Sequence, residues 1–167
     1  MQLGRVFREG FIAGCIGATA VAVWFLLVDF ATGRPLFTPA MLGSAVFWNV
    51  QDPADVVIEY SRIIGYSMIH VSAFVVAGVV AAALAAQIEV VPHSLFLVVV
   101  AFCSFEVGFY ILVAVFARPL LGELAWWSVA VGNAIAAAGV GYYLWCEHPQ
   151  IAESLRRHPL GETEDGE

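Results

Sequence analysis

Apolar residues fall along this chain in four long blocks, residues 11–30, 63–86, 95–117 and 125–145. Each runs for about 20 residues or more, the length a helix needs to cross about 30 Å of hydrocarbon. Pro, Gly and charged residues gather between the blocks, and the connections after the second and third are short enough to force hairpins. The pattern predicts an all-α polytopic membrane protein, with four transmembrane helices in an antiparallel bundle.

The first connection, residues 31–55, is the long one and carries its own signals. Thr38 followed by Pro39 reads as an N-cap with Pro at the first helical position. The segment it opens, 40–50, is apolar and ends in Phe47 and Trp48. It is too short to span, so a short interfacial helix is predicted there, with Trp at the membrane–water boundary. Asp52, Pro53 and Asp55 repeat the start signal, which predicts that the second span begins near Pro53 and runs to residue 86. Such a helix of about 34 residues would be about 51 Å long and would have to tilt or project. Arg34, Pro35 and Leu36 after the first block recur as Arg118, Pro119 and Leu120 after the third, a faint sign of two related hairpins and an ordinary way to stop a span.

Small residues recur every fourth position in three blocks: Gly10, Gly14, Ala18 and Ala22; Ala73, Ala77, Ala81 and Ala85, beside Gly78 and Ala82; and Ala130, Ala134 and Ala138, beside Ala137 and Gly141. Such stripes let helices approach closely in lipid, so these three spans are predicted to pack on one another. The third block is bulky instead, with Phe96, Phe102, Phe105, Phe109, Tyr110 and Phe116, and is expected to face lipid or a second protein.

Composition supports the membrane reading: of 167 residues, 61% are hydrophobic and 13% charged, and the mean hydropathy is +0.86. The net charge of −7 is partly a local matter, because Glu162, Glu164, Asp165 and Glu167 crowd one short tail. The chain divides into a transmembrane domain, 1–148, and a short acidic cytoplasmic tail, 149–167. All seven basic residues are Arg, spread along the chain, so no patch for nucleic acid or anionic lipid is present in the sequence. Arg5, Arg8, Arg156 and Arg157 flank the ends while Arg34, Arg62 and Arg118 fall in or beside the opposite loops. By the positive-inside rule both termini are cytoplasmic, in a bacterial-type inner membrane. Cys15, Cys103 and Cys146 are too far apart in sequence for a C-x-x-C thiol pair and read as packing residues. Residues 12–15 mimic a lipobox, but the apolar run before Cys15 is too short for a signal peptide and continues beyond it.

Ionisable groups deep in lipid are costly, which directs attention to His70 and Glu106. Arg62, Tyr66 and His70 stand four residues apart on one helix face, a polar stripe expected to open outward. Glu106 and Tyr110 form a similar pair on the third span, and Asn133 lies at comparable depth on the fourth. A buried polar cluster of His70, Glu106, Asn133, Tyr66 and Tyr110 is the candidate site. Its plainest role is a clasp joining spans. Metal binding is disfavoured, because a zinc or di-iron site needs three or four ligands and this depth supplies two. His93, in the inner turn after Pro92, is too far along the bundle to share an iron with His70, and His148 and His158 lie beside prolines toward the tail. A cofactor is therefore not established, with haem or chlorophyll at His70 as the lesser alternative. No nucleophile, zincin or phosphate-loop motif occurs, and no enzyme is expected. The expected role is a non-catalytic accessory or structural subunit, packed against other integral membrane subunits of a larger energy-converting (respiratory or photosynthetic) or transport complex. The alternative is a small proton-linked transporter centred on His70 and Glu106.

Overall fold

The computed structural model describes residues 3–88, 107–108, 111 and 126–150. These residues are helical, with no strand among them: α1 (Leu3–Ala31), α2 (Phe37–Trp48), a single 3-10 turn (Pro53–Asp55), α3 (Tyr60–Ile88) and α4 (Trp126–Glu147). Three of the four helices, α1, α3 and α4, are long and apolar enough to cross a membrane, and α2 is apolar but short. The third apolar block, with Glu106 and Tyr110, the repeat at Arg118, and the tail beyond residue 150 lie outside the described residues.

α1 is the centre of the arrangement, packed on α3 along one face and on α4 along another, while α3 and α4 scarcely meet. The α1–α3 contact is made by glycine. A methyl group on Gly10 would run into the backbone of Val79, one on Gly14 into that of Val75 and Phe74, and one on Gly78 into Gly10 and Gly14. Backbone meets backbone here because lipid supplies no hydrophobic force between helices, and close van der Waals contact replaces it. The pairs Gly10–Val79 and Gly14–Val75 fall in opposite chain order. They define a lower end, where Val6, Ala82, Ala85 and Leu144 cluster, and an upper end beyond Phe25.

The stripe Gly10–Gly14–Ala18 thus packs as its spacing predicts, but Ala22 is exposed, and on α4 the structure departs from expectation. Ala130, Ala134, Ala137, Ala138 and Gly141 are exposed among the described residues. The buried positions are Ser128, Val129, Gly132, Ala136 and Leu144. Aromatic bulk on α1 decides this: Gly132 makes room for Trp24 and Phe25, and Gly139 sits against Ile16. Trp24 Nε1 also donates to the Ser128 carbonyl at 2.8 Å, and its ring meets Trp127 edge-on.

α1 ends in a Schellman turn: Gly33 takes φ +72°, its N–H reaches the Phe30 carbonyl, and Arg34 N–H reaches the Asp29 carbonyl. Two expectations about the loop need correction. Thr38 is not the N-cap of α2. That place belongs to Leu36, in the left-handed region at φ 63° and without a side-chain cap. Nor does α3 begin at Pro53. Asp52 caps as expected, accepting from Ala54 N–H at 2.8 Å, but the helix it opens lasts one turn. Val56 is extended and Val57 and Ile58 follow it, a β-branched run that resists helix, so α3 proper starts at Tyr60.

Candidate functional site

The polar groups of the described helices resolve into three clasps, each joining one helix to another. At the upper end Asp29, only 3% exposed in the last turn of α1, turns its carboxylate on the start of α2. Thr38 donates to it twice, from its backbone N–H at 2.8 Å and from its hydroxyl at 2.6 Å. A carboxylate from another helix thereby serves the free donors of the α2 N-terminus, at the positive end of its dipole.

The second clasp holds the far half of α2. Arg62, in the first turn of α3, donates from Nη1 to Ser44 Oγ at 2.8 Å, and that hydroxyl donates to the Ala40 carbonyl. The guanidinium lies over Trp48, 5.1 Å from the ring centre, and Glu59 is 3.7 Å from its Nε. Gly43 lets α2 rest on the Arg62 carbonyl. Between the two clasps Met41, Leu42, Ala45 and Val129 form an apolar cluster against Phe25, Phe37, Val56 and Tyr66. The polar stripe of α3 is therefore covered by α2 at its upper end rather than open there. Val46, Phe47 and Trp48 at the end of α2 remain partly exposed, although Phe47 rests beside Gly65 and Trp48 lies under Arg62.

The third clasp was missed in the sequence. Glu9 and His148 are 0% and 1% exposed, the most deeply buried ionisable side chains described. Arg5 Nε donates to Glu9 Oε1 at 2.6 Å and Arg5 Nη2 to the Glu147 carbonyl at 3.1 Å. The other carboxylate oxygen, Oε2, is 3.2 Å from His148 Nε2. Glu9 looked peripheral because it precedes the first apolar block, and His148 because it adjoins Pro149. The helix in fact starts at Leu3, and α4 ends at Glu147 because a residue before proline is pushed out of helical conformation. A legible signal did exist: Arg5 and Glu9 stand at the four-residue spacing of a helical ion pair.

Of the candidate cluster, Tyr66, His70 and Phe74 stack along α3, with ring centres 5.7 and 4.8 Å apart. His70 Nε2 donates to the Ala18 carbonyl of α1 at 3.2 Å, so its visible partner is backbone. Asn133 is half-buried on α4, and its Nδ2 is buried without a hydrogen-bond partner among the described residues. Glu106 and Tyr110, the remaining two, lie outside the described residues. Among the described residues no group of three or more His, Cys, Asp or Glu side chains could hold a metal ion.

No protein family, curated protein or solved structure matches the chain. What the helices and their length support is a multi-pass membrane protein.

Proposed function

We propose that this protein is a non-catalytic accessory subunit of a larger membrane complex, crossing the membrane four times with both termini on the cytoplasmic side. The observation that carries the reading is how the charged groups at the helix ends are used. Asp29, Arg62, Arg5 and Glu9 are each engaged at short range with a neighbouring helix, which stabilises a fixed frame. A transported ion or substrate would need groups that can change partner.

Connectivity supports the count of four crossings. α3 reaches the lower end with Ala82 and Ala85, and α4 starts at the upper end with Ser128 beside Trp24. Residues 89–125 join these two ends in sequence, and the block 95–117 among them is long and apolar enough for a crossing. A crossing there would make the number even and put both termini on one side, as the reading requires. A partner of membrane-embedded character is supported by the exposed apolar rim of α2, Val46, Phe47 and Trp48, held rigidly by the two upper clasps. The engagement of His70 Nε2 with Ala18 weighs against ligation of haem or chlorophyll through that nitrogen.

The test is purification of the tagged chain from its native membrane in mild detergent, with an absorption spectrum and mass spectrometry of the eluate. One or more integral membrane proteins should co-purify in fixed ratio, without a bound pigment. A chain that purifies alone, stays folded and gives proton flux in vesicles that is lost in Glu106→Gln would overturn the proposal and favour the transporter.

A further inference from the structure

We propose, resting on the membrane-spanning reading and not on the accessory role, that two aromatic girdles bound the lipid-facing surface of this protein. Trp48, Tyr60, Trp126 and Trp127 form the upper girdle, Tyr142 and Trp145 the lower, and α2 lies flat in the upper headgroup plane. The partner this surface fits is a phospholipid bilayer with a hydrocarbon core of about 28 Å.

Contacts between the helices set the heights. Tyr66 of α3 and Val129 of α4 belong to the apolar cluster beneath α2, so one turn above them Arg62 and Trp126 stand at one level. Tyr60 lies just above Arg62 on α3, Trp127 adjoins Trp126 on α4, and Trp48 is held under the Arg62 guanidinium. All four rings are exposed. At the lower end α4 presents Tyr142 and Trp145, also exposed, on either side of Leu144, which clusters with Val6, Ala82 and Ala85. Trp and Tyr settle at a membrane boundary because the ring is apolar while its N–H or O–H keeps a wet partner.

Two further observations fix the boundaries. Trp126 and Trp145 are 19 positions apart on one helix, about 28 Å along its axis and close to one hydrocarbon thickness. Residues 11–28 of α1, 63–86 of α3 and 126–146 of α4 contain no Asp, Glu, Lys or Arg. The clasps at Asp29, Arg62 and Glu9 fall instead at the levels of the girdles, where charge is tolerated. α2 is tied to the upper plane at both ends, Thr38 by Asp29 in the last turn of α1 and Trp48 by Arg62 in the first turn of α3. A helix held in this way runs along the boundary and does not dip into the hydrocarbon.

Depth-resolved quenching of tryptophan fluorescence reads the girdles in the full chain, reconstituted in phosphatidylcholine vesicles brominated near the headgroup, midway or near the end of the acyl chain. Three variants keep Trp48, Trp126 or Trp145 and have Phe at the other tryptophan positions. A fourth carries Ile135→Trp, exposed midway along α4, with Phe at all the native tryptophan positions. Trp48, Trp126 and Trp145 should each be quenched most by bromine near the headgroup, at about 15 Å from the midplane, and Ile135→Trp by bromine at the chain ends. Trp48 quenched as deeply as Ile135→Trp, or Trp126 or Trp145 reading nearer the midplane than the headgroups, would overturn the proposal and leave the membrane-spanning reading in place. Absence of quenching from every bromine position would overturn both. The unaltered chain gives a second reading should a Phe variant not fold. Its unfolding temperature should peak in bilayers with a hydrocarbon core of about 28 Å and fall in thinner and thicker ones, because mismatch in either direction is costly. A steady rise with thickness across that range would overturn the girdle assignment.

Discussion

Asp29 and Thr38 are joined by two hydrogen bonds, one to the backbone N–H and one to the hydroxyl, across the turn from α1 to α2. A capping residue ordinarily belongs to the helix it caps. Here the cap is borrowed from the preceding helix, which fixes the angle at which α2 leaves α1 as well as satisfying its first turn. Asp29→Ala should lower stability by about 1–3 kcal/mol, since it strands a buried hydroxyl and an N–H together. Asp29→Asn should lose less, because one amide oxygen can still accept. Thermal unfolding in mild detergent checks the order, and equal losses would show that the carboxylate does not cap α2.

Gly14 and Gly141 make a matched pair of tests on the close packing. A Cβ at Gly14 has only the backbone of α3 to displace, so Gly14→Ala should cost about 1–3 kcal/mol through overpacking. Gly141 has open space around its Cβ position among the described residues. Gly141→Ala should be neutral or stabilising by up to about 1 kcal/mol, the helix-propensity gain. Denaturant titration of both variants in micelles separates them, and a neutral Gly14→Ala would contradict the α1–α3 interface.

Arg62 carries a local prediction. Removing it unties α2 from α3 while leaving the glycine contacts of α1 intact, so Arg62→Ala should raise hydrogen exchange in residues 37–48 with little change at Gly10–Val79. Arg62→Lys should restore only part of the protection, because an ammonium cannot both reach Ser44 and lie flat over Trp48. Exchange that rises uniformly across all helices would mean that Arg62 supports the whole fold and not α2 alone.

His70→Leu keeps the size of a packing residue and removes the bond to Ala18. The expected loss is about 0.6–1.7 kcal/mol, the range of single polar contacts between helices in membranes. Calorimetry in detergent reads it, and a much larger loss would point to further partners of His70.

Reporters fused at either end should be found on the same side of the membrane, with a cysteine placed at Gln51 labelled from the other side. Opposite placement of the two ends would remove the fourth crossing.

How far the sequence alone reached differs by residue and by reason. Hydropathy located three long helices that are present in the structure, because a helix facing lipid must be apolar over a length set by the bilayer and this leaves a block in the sequence whatever it packs against. The Gly10–Gly14–Ala18 stripe was legible for a similar reason, as close approach requires small residues on one face. The break between Pro53 and Tyr60 was not, since a start signal states where a helix opens and not how long it lasts. The choice of the Gly132 face over the Ala130 face of α4 depended on where Trp24 and Phe25 of another helix stood. The buried groups depended most on tertiary structure. Glu9 and His148 lie 139 positions apart and outside the apolar blocks, and Asp29 stands at the very end of the first block. Their burial is decided by which helix end comes to rest beside which, a relation between distant parts of the chain that no local pattern encodes. The sequence by itself determined that the chain is helical with long apolar, membrane-spanning segments, and that the Gly10–Gly14–Ala18 face of α1 can approach another helix closely. Only the tertiary structure decided that α1 supplies charges of opposite sign to the ends of two other helices, Asp29 to the start of α2 and Arg5 to the end of α4, because a helix dipole is answered by whatever charge the fold brings to it.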